Sequence, residues 1–337
     1  MILIFSIEND ISTTSVTKIL NHLGKHVVVI NPDSDVHKLV KLNTSEIIFE
    51  NTITKDVINV MDVESCWWRR AGLGKRNFSR NYSEENSFVV DGKDLTRLIA
   101  GSNNHITSES KDLIGYIFEK VYKKSKINIG GPNVYHLNRL LTLEKAREVG
   151  LQTPGFEVVT SSQQIIDSDI LSEKFVTKSV ANGVYKQIGK EMFYSYTELS
   201  SKEEFLEGNV NFFPSLLMNL VEKDLEIRTF YLDGSFYSMA IFSQSNQQTS
   251  VDFRKYSADK PNKTEPYKLP KNLEIKLEKL FHNLGLNCGS VDLILNKQGN
   301  FVFLEINPVG QYQMTSRPGN FNLDLVIAKY LINGRTE

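Results

Sequence analysis

The chain has 337 residues, 40% of them hydrophobic and 23% charged, and a formal net charge of −1. That length sets a prior of about two to three domains with sizeable cores, while the near-neutral charge provides no global field for nucleic acid or an anionic membrane, so any phosphate binding must be local. Only two cysteines occur, Cys66 and Cys288, far apart and without metal-ligand spacing, which suits a reducing cytoplasm rather than a disulfide framework.

The first segment, residues 2–7, is an unbroken apolar run that predicts a buried strand; Glu8 and Asp10 follow too soon for a signal peptide. Ser12–Leu23 carries helical spacing with Ser/Thr at its start and Gly24 at its end, and Lys25–Ile30 predicts a second strand. This is a β-α-β opening. A dinucleotide site is excluded because Glu8-Asn9-Asp10-Ile11-Ser12 has no glycine-rich turn. Short strands are expected at Glu46–Glu50 and Glu64–Trp68. The basic stretch after them, Trp67-Trp68-Arg69-Arg70 with Gly72, Gly74, Lys75, Arg76 and Arg80, reads as a solvated loop.

Residues from about 90 to 124 have helical periodicity, and Lys126–Gly131 closes the segment with a turn at Gly130-Gly131-Pro132, where a domain boundary is expected. A helix is predicted from Asn138 to Val149, stopped by Gly150 and Pro154. Strands follow at Gly155–Thr160 and Phe175–Ser179, the latter carrying Lys178. Ser215–Leu220 then leads through Glu222-Lys223-Asp224 into Glu226–Leu232, a tight Asp233-Gly234 turn, and Phe236–Phe242. Residues 244–268 are polar and turn-rich, as in a loop over a site. No run approaches the ~20 apolar residues needed to span a bilayer.

Two final apolar runs, Ser290–Leu295 and Phe301–Pro308, flank the turn composition Asn296-Lys297-Gln298-Gly299-Asn300 and predict a β-hairpin. Strand alternation then puts Glu305 and Asn307 on one face, with Asp292 able to meet them from the partner strand. Two readings stand: ordinary edge-strand polar residues, or a cluster of hard oxygen donors for a cation such as Mg²⁺ held together with substrate phosphates.

The order Arg139, Lys178, Asn219-Leu220-Val221, Glu226-Ile227-Arg228, Asp252-Phe253-Arg254, Asp292, Glu305 and Asn307 resembles the ATP-grasp superfamily over almost the whole chain. Within it, Trp67-Trp68-Arg69-Arg70, Val221-Glu222-Lys223, Glu226-Ile227-Arg228 and, above all, Leu304-Glu305-Ile306-Asn307-Pro308-Val309-Gly310-Gln311-Tyr312 look like the microviridin-type and grasp-with-spasm maturases that make graspetides.

The resemblance implies an α/β (α+β) ATP-grasp fold: an N-terminal β-α-β domain over 1–131, a central subdomain over 132–220 and a C-terminal ATP-grasp subdomain over 221–337. It implies ATP and Mg²⁺, a precursor peptide of leader plus core as partner, and a homodimer, with no nucleic acid and no membrane. Arg139 and Lys178 would hold the α- and β-phosphates, the backbone of Asn219, Leu220 and Val221 the adenine edge, and Glu226 the ribose hydroxyls. Asp292, Glu305 and Asn307 would hold Mg²⁺, with Arg228 and Arg254 on the γ-phosphate and the acyl-phosphate intermediate. Glu198, Glu203, Glu204 and Glu207 are candidates for a leader peptide, and Arg317 and Asn320 for the substrate carboxylate; a solvated acidic face and a plain helix-entry loop are the competing readings.

Two departures from the superfamily stand out. The stretch Ala181–Gly189, where a Gly/Ser-rich flap is common, keeps two glycines, and Arg139 stands where lysine is common. The implied activity is ATP-dependent ligation of Asp/Glu side chains of a precursor peptide to its own hydroxyls or amines. Alternatives are an ATP-grasp carboxylate-amine ligase for a small molecule or protein terminus, and a nucleotide-binding regulator without turnover.

Overall fold

A computed structural model of the protein describes residues 1–32, 34–70, 72–78, 89–90, 93–94, 96–132, 134, 137–181, 185–188, 191–194, 197–206, 208, 210–243 and 262–336. The chain divides into two compact units, Met1–Tyr135 with Asn322–Glu337, and His136–Phe321. Residues 322–337 group with the first unit, and 136–321 form the second.

In the first unit β1 (Ile2–Phe5) leads through α1 (Ile11–His22) to β2 (Val27–Ile30). An antiparallel ribbon follows, β3 (His37–Leu42), β4 (Ile47–Asn51) and β5 (Val57–Asn59), before β6 (Ser65–Trp68). After a two-residue ladder of β7 (Val89–Val90) with β8 (Lys93–Asp94) comes the long α2 (Thr96–Lys124) and then β9 (Ile127–Ile129). The main sheet is wholly parallel in the order β2-β1-β6-β9. Every residue of β1 and β6 is buried, which is why both read as continuous apolar runs rather than alternating ones. Phe5, Trp68 and Phe118 meet with ring centroids 4.9–5.1 Å apart and tie the sheet to α2.

Three local expectations shift. The α1 cap is Asp10, whose side chain accepts from the Thr13 amide, so the helix begins before Ser12. Lys126–Gly131 contains a strand rather than only a turn: β9 exists because it pairs with β6, a long-range contact that three residues cannot advertise locally. The basic segment after β6 is not a solvated loop where it is described. Arg69 is 2% exposed; its Nε donates to Asp10 Oδ2 at 3.0 Å and its Nη2 to Ser12 Oγ at 3.1 Å. Arg80 lies outside the described residues.

Burial alone would raise the Asp10 carboxyl, but the Arg69 guanidinium and the Thr13 donors outweigh it and hold the group below its ordinary range. A depressed carboxyl contributes stability that is present above its unfolded pKa and lost as pH falls through the folded value. Asp10→Asn is therefore expected to cost about 3 kcal/mol at pH 7 by leaving Arg69 buried without its counter-ion. In urea unfolding the gap to wild type should begin to narrow as pH falls below the ordinary carboxylate value of ~4 and close as pH passes through the lower folded value. A gap independent of pH would remove the ion pair as its cause.

The second unit opens with α3 (Arg139–Glu148), capped by Asn138 and followed by Gly150 at φ 82°. A four-stranded antiparallel sheet contains β10 (Phe156–Ser161) and, after α4 (Ser162–Asp167), β11 (Lys174–Lys178). The hairpin β12 (Tyr185–Ile188) with β13 (Glu191–Tyr194) interrupts it before β14 (Glu198–Ser201) and β15 (Asn211–Asn219) complete the order β10-β15-β11-β14. Phe175, Leu217, Val159, Ile165 and Leu171 form its core beneath α4.

A five-stranded sheet follows: β16 (Lys223–Leu232), β17 (Ser235–Phe242), β18 (Lys263–Tyr267) and, after α5 (Lys271–Asn283), β19 (Cys288–Asn296) and β20 (Phe301–Asn307), in the order β18-β17-β16-β19-β20. Asp233 and Gly234 both take positive φ, 42° and 88°, as the expected two-residue hairpin turn requires. α5 lies outside the expected elements, although Leu273, Leu277, Leu280 and Phe281 have helical spacing and are buried. Its Phe281 stacks on Tyr231 at 4.1 Å and closes one face of the sheet. After α6 (Gln313–Gly319) the chain re-enters the first unit as α7 (Leu323–Asn333), which packs against α1 and β6. Among the described residues no helix is long and apolar enough to cross a membrane.

Candidate functional site

One face of the five-stranded sheet is built by register. Directly opposed residues share a face, so the pairs Glu226↔Ile294, Arg228↔Asp292, Asp292↔Glu305 and Ser290↔Asn307 line up on one side. Two bulges make this possible. Between Asp292 and Leu293 the register slips by one, with Leu304 as the extra residue of β20. Extending the Leu293↔Phe303 register without the slip would put Glu305 opposite Val291, towards the apolar layer. In the same way Asp224 is the extra residue of β16, which brings Lys223 and Glu226, three apart in a strand, onto one face.

The charges on this face are matched. Arg228 Nη1 donates to both Asp292 oxygens, at 2.8 and 3.0 Å. Arg139, from the start of α3, and Lys178, from the end of β11, each place a nitrogen 2.8 Å from Glu305 Oε2. Arg139 also donates to the Ala181 carbonyl at 3.2 Å. Asn307 Oδ1 accepts from the Val309 amide at 3.1 Å and so shapes the turn into Gly310. That turn is tight: Gly310 has φ 66°, and a Cβ there would lie 3.0 Å from Cys288 Sγ and from Phe230 Cε2.

Glu226 is 7% exposed. Its Oε1 accepts from Lys223 Nζ at 2.5 Å and from Ser243 Oγ at 2.7 Å. Burial pushes this carboxyl above its ordinary range, partly offset by Lys223 and Ser243. Neither Lys223 nor Ser243 was among the expected site residues. A lysine three positions away in a strand has no alternation signal, because only the bulge aligns it.

The structure thus brings Arg139, Lys178, Arg228, Asp292 and Glu305 together in direct contacts and places Glu226 and Asn307 on the same sheet face. Among the described residues no group of three carboxylate, imidazole or thiolate side chains forms a metal cluster. The oxygen donors are two carboxylates and one amide, a set that suits a hard divalent cation completed by phosphate and water. Four cations against three carboxylates leave the face with one net positive charge.

The other expected residues fare differently. The Asn219 amide donates to Gly155 O at 2.8 Å and the Leu220 amide to Lys174 O at 3.4 Å. The Asn219 side chain ties down Ser172 and Ile170. Those two N–H groups are therefore committed to the fold, and the Val221 N–H is the donor proposed for an adenine edge. Asn320 terminates α6 in the left-handed region, a structural use, and Arg317 is exposed one turn before it. Glu198, Glu203 and Glu204 are exposed, and Glu204 accepts from Ser200 Oγ at 2.6 Å. Arg254, Asp252, Glu207, and 182–184 and 189 of the stretch Ala181–Gly189 lie outside the described residues.

No family model matches the chain, and no curated protein matches its sequence. Solved structures do match its fold. A RiPP-associated ATP-grasp ligase of Chryseobacterium gregarium, in complex with ADP and a leader and core peptide, superposes with a TM-score of 0.76 at 19% identity, covering 99% of this chain and 97% of that one. The macrocyclase MdnC of Microcystis aeruginosa MRC, bound with precursor peptide MdnA, gives 0.71 at 22% identity, covering 99% and 100%. The ATP-grasp ligase PsnB, complexed with a phosphomimetic variant of its minimal precursor, Mg and ADP, gives 0.66 at 12% identity over 98% and 97%. The α/β fold of this chain is that of the ATP-grasp ligases from end to end.

Proposed function

We propose that this protein is an ATP-dependent ligase that closes rings in a ribosomally made precursor peptide, joining Asp or Glu side chains to hydroxyls or amines of the same peptide. One observation carries the reading: Arg139, Lys178 and Arg228 converge on Glu305 and Asp292 across a single sheet face. A polyphosphate with its counter-ion suits such a face, since the cation can take the carboxylates and the phosphates can take the arginines and lysine in exchange. The peptides bound in the structurally similar ligases support a peptide as the acceptor.

In this mechanism Arg139 and Lys178 exchange Glu305 for the α- and β-phosphates. Glu226 accepts the ribose hydroxyls through Oε2, both of its hydrogen bonds within the fold being on Oε1. Val221 donates to the adenine edge. Asp292, Glu305 and Asn307 would hold Mg²⁺, which would neutralise phosphate charge when bound. A peptide carboxylate attacks the γ-phosphorus, ADP leaves, and Arg228, with Arg254, steadies the charge of the transferring group. A hydroxyl or amine of the same peptide then attacks the acyl carbon and phosphate departs, so each ring costs the peptide one water. Tethering both reactants on one chain makes the second attack intramolecular. The acidic residues Glu198, Glu203, Glu204 and Glu207 are the proposed dock for a basic leader, and Arg317 the proposed contact to a core carboxylate. A homodimer and a cytoplasmic location complete the proposal; sedimentation tests the first.

The direct test is mass spectrometry of a candidate precursor peptide incubated with the protein, ATP and Mg²⁺. Successive losses of water matched by ADP formation are expected. ATP consumption with free amino acids but no water loss from any peptide would transfer the reading to a small-molecule ligase. Lys178→Ala is expected to raise the KM for ATP about tenfold, the worth of one charge-assisted phosphate contact. Unchanged ATP affinity and rate would take Lys178 out of this role.

A further inference from the structure

In the first unit β1 lies between β2 and β6 in an all-parallel sheet, so the crevice at the carboxyl ends of β1 and β6 is the topological switch point, where open parallel sheets take ligands. Ser6 emerges there after β1, and Arg69 and Arg70 after β6. Both arginine amides donate to the Phe5 carbonyl, at 3.0 and 2.9 Å, and Gly72 packs so closely on the Phe5 ring that a Cβ would overlap it. The segment is thus held firmly to the sheet. Arg69 is occupied by Asp10 and Ser12. The Arg70 guanidinium has no hydrogen-bond or ion-pair partner among the described residues, and its Nε is fully buried. Burial, together with the neighbouring charge of Arg69, lowers the Arg70 pKa, with Asp10 opposing. Arg70 is only partly exposed, so its unpartnered Nε is a donor that an incoming anion can satisfy.

We propose that Arg70 is the binding residue of a carboxylate subsite in the first unit, taking an acidic side chain of the peptide substrate. The identity of that ligand rests on the proposed function; the subsite rests on Arg70. A carboxylate fits better than a phosphate for two reasons. Arg69, Arg70 and Asp10 sum to one positive charge, which matches a monoanion. The turn after β1, Glu8-Asn9-Asp10, carries acidic residues where a phosphate would need glycines and amides.

The protein has only two tryptophans, Trp67 and Trp68, directly before these arginines, with the Arg69 guanidinium 5.6 Å from the Trp67 ring centroid. Their emission in the full-length protein, titrated with glutaric acid monoamide, reports on the subsite without ATP. A saturable change is expected, absent with uncharged glutaramide and weakened about tenfold or more in Arg70→Gln. The same titration in Arg70→Gln as in wild type, or a response to inorganic phosphate but not to the monoamide, overturns the proposal. Should Arg70→Gln fail to fold, Arg70→Lys decides: it keeps the charge and loses the planar fork, so several-fold weaker binding supports the subsite and unaltered binding overturns it. In turnover assays Arg70→Gln should raise the KM for the peptide and leave that for ATP unchanged. Water loss with an unaltered peptide KM overturns the subsite alone; an intact titration without any water loss overturns the ligase reading alone.

Discussion

Glu305→Gln is expected to lower ATP-dependent turnover by about a thousandfold or more while the fold survives. Glutamine keeps the shape of the side chain and its place on β20, so unfolding should change little. What disappears is the negative charge that Arg139 and Lys178 share at 2.8 Å and that the proposed Mg²⁺ requires. The two effects separate in a nucleotide titration. Without metal, ATP should bind the variant at least as tightly as wild type, since both cations are released from competition with Glu305; added Mg²⁺ should no longer produce turnover. Near-normal turnover would remove Glu305 from the metal site.

Arg228→Met should reduce kcat about a hundredfold or more with little change in the KM for ATP. Arg228 is buried, and among the described residues it reaches, beyond Asp292, only the Gln311 carbonyl, at 3.5 Å, while its Nε has no partner there. An apolar side chain of similar length fills the same space, and exchanging a buried ion pair for packing is often nearly neutral for stability. Asp292, being partly exposed, can hydrate. Stopped-flow or steady-state kinetics beside thermal unfolding check both halves. A large loss of stability with kcat preserved would make Arg228 a structural residue.

Much of this site is legible in the sequence because it is carried by local patterns. Asp292, Glu305 and Asn307 break the apolar pattern of a predicted hairpin, whereas Arg139 and Lys178 are singled out only by the order of residues that resembles the ATP-grasp superfamily. In the fold Arg139 and Lys178 both contact Glu305. The amides of Asn219 and Leu220 were less legible. An alternating strand does not disclose that its end hydrogen-bonds to Gly155 and Lys174 rather than facing a ligand.

Several elements are set by interactions within a few residues and can be read locally, namely the buried β1, the capped α3, the left-handed Asp233-Gly234 turn and the acidic final hairpin, whereas α5 and β9 are not among them. Which face an element presents also depends on its partners in the fold. The slips at Asp224 and Leu304 turn Lys223 and Glu305 towards the site, the pairing of Ile127–Ile129 with β6 makes a strand from a turn-like segment, and Asp10 draws Arg69 out of solvent. In a strand a shift of one residue reverses every side chain. That shift is chosen by the partner strand, which lies far away in the chain.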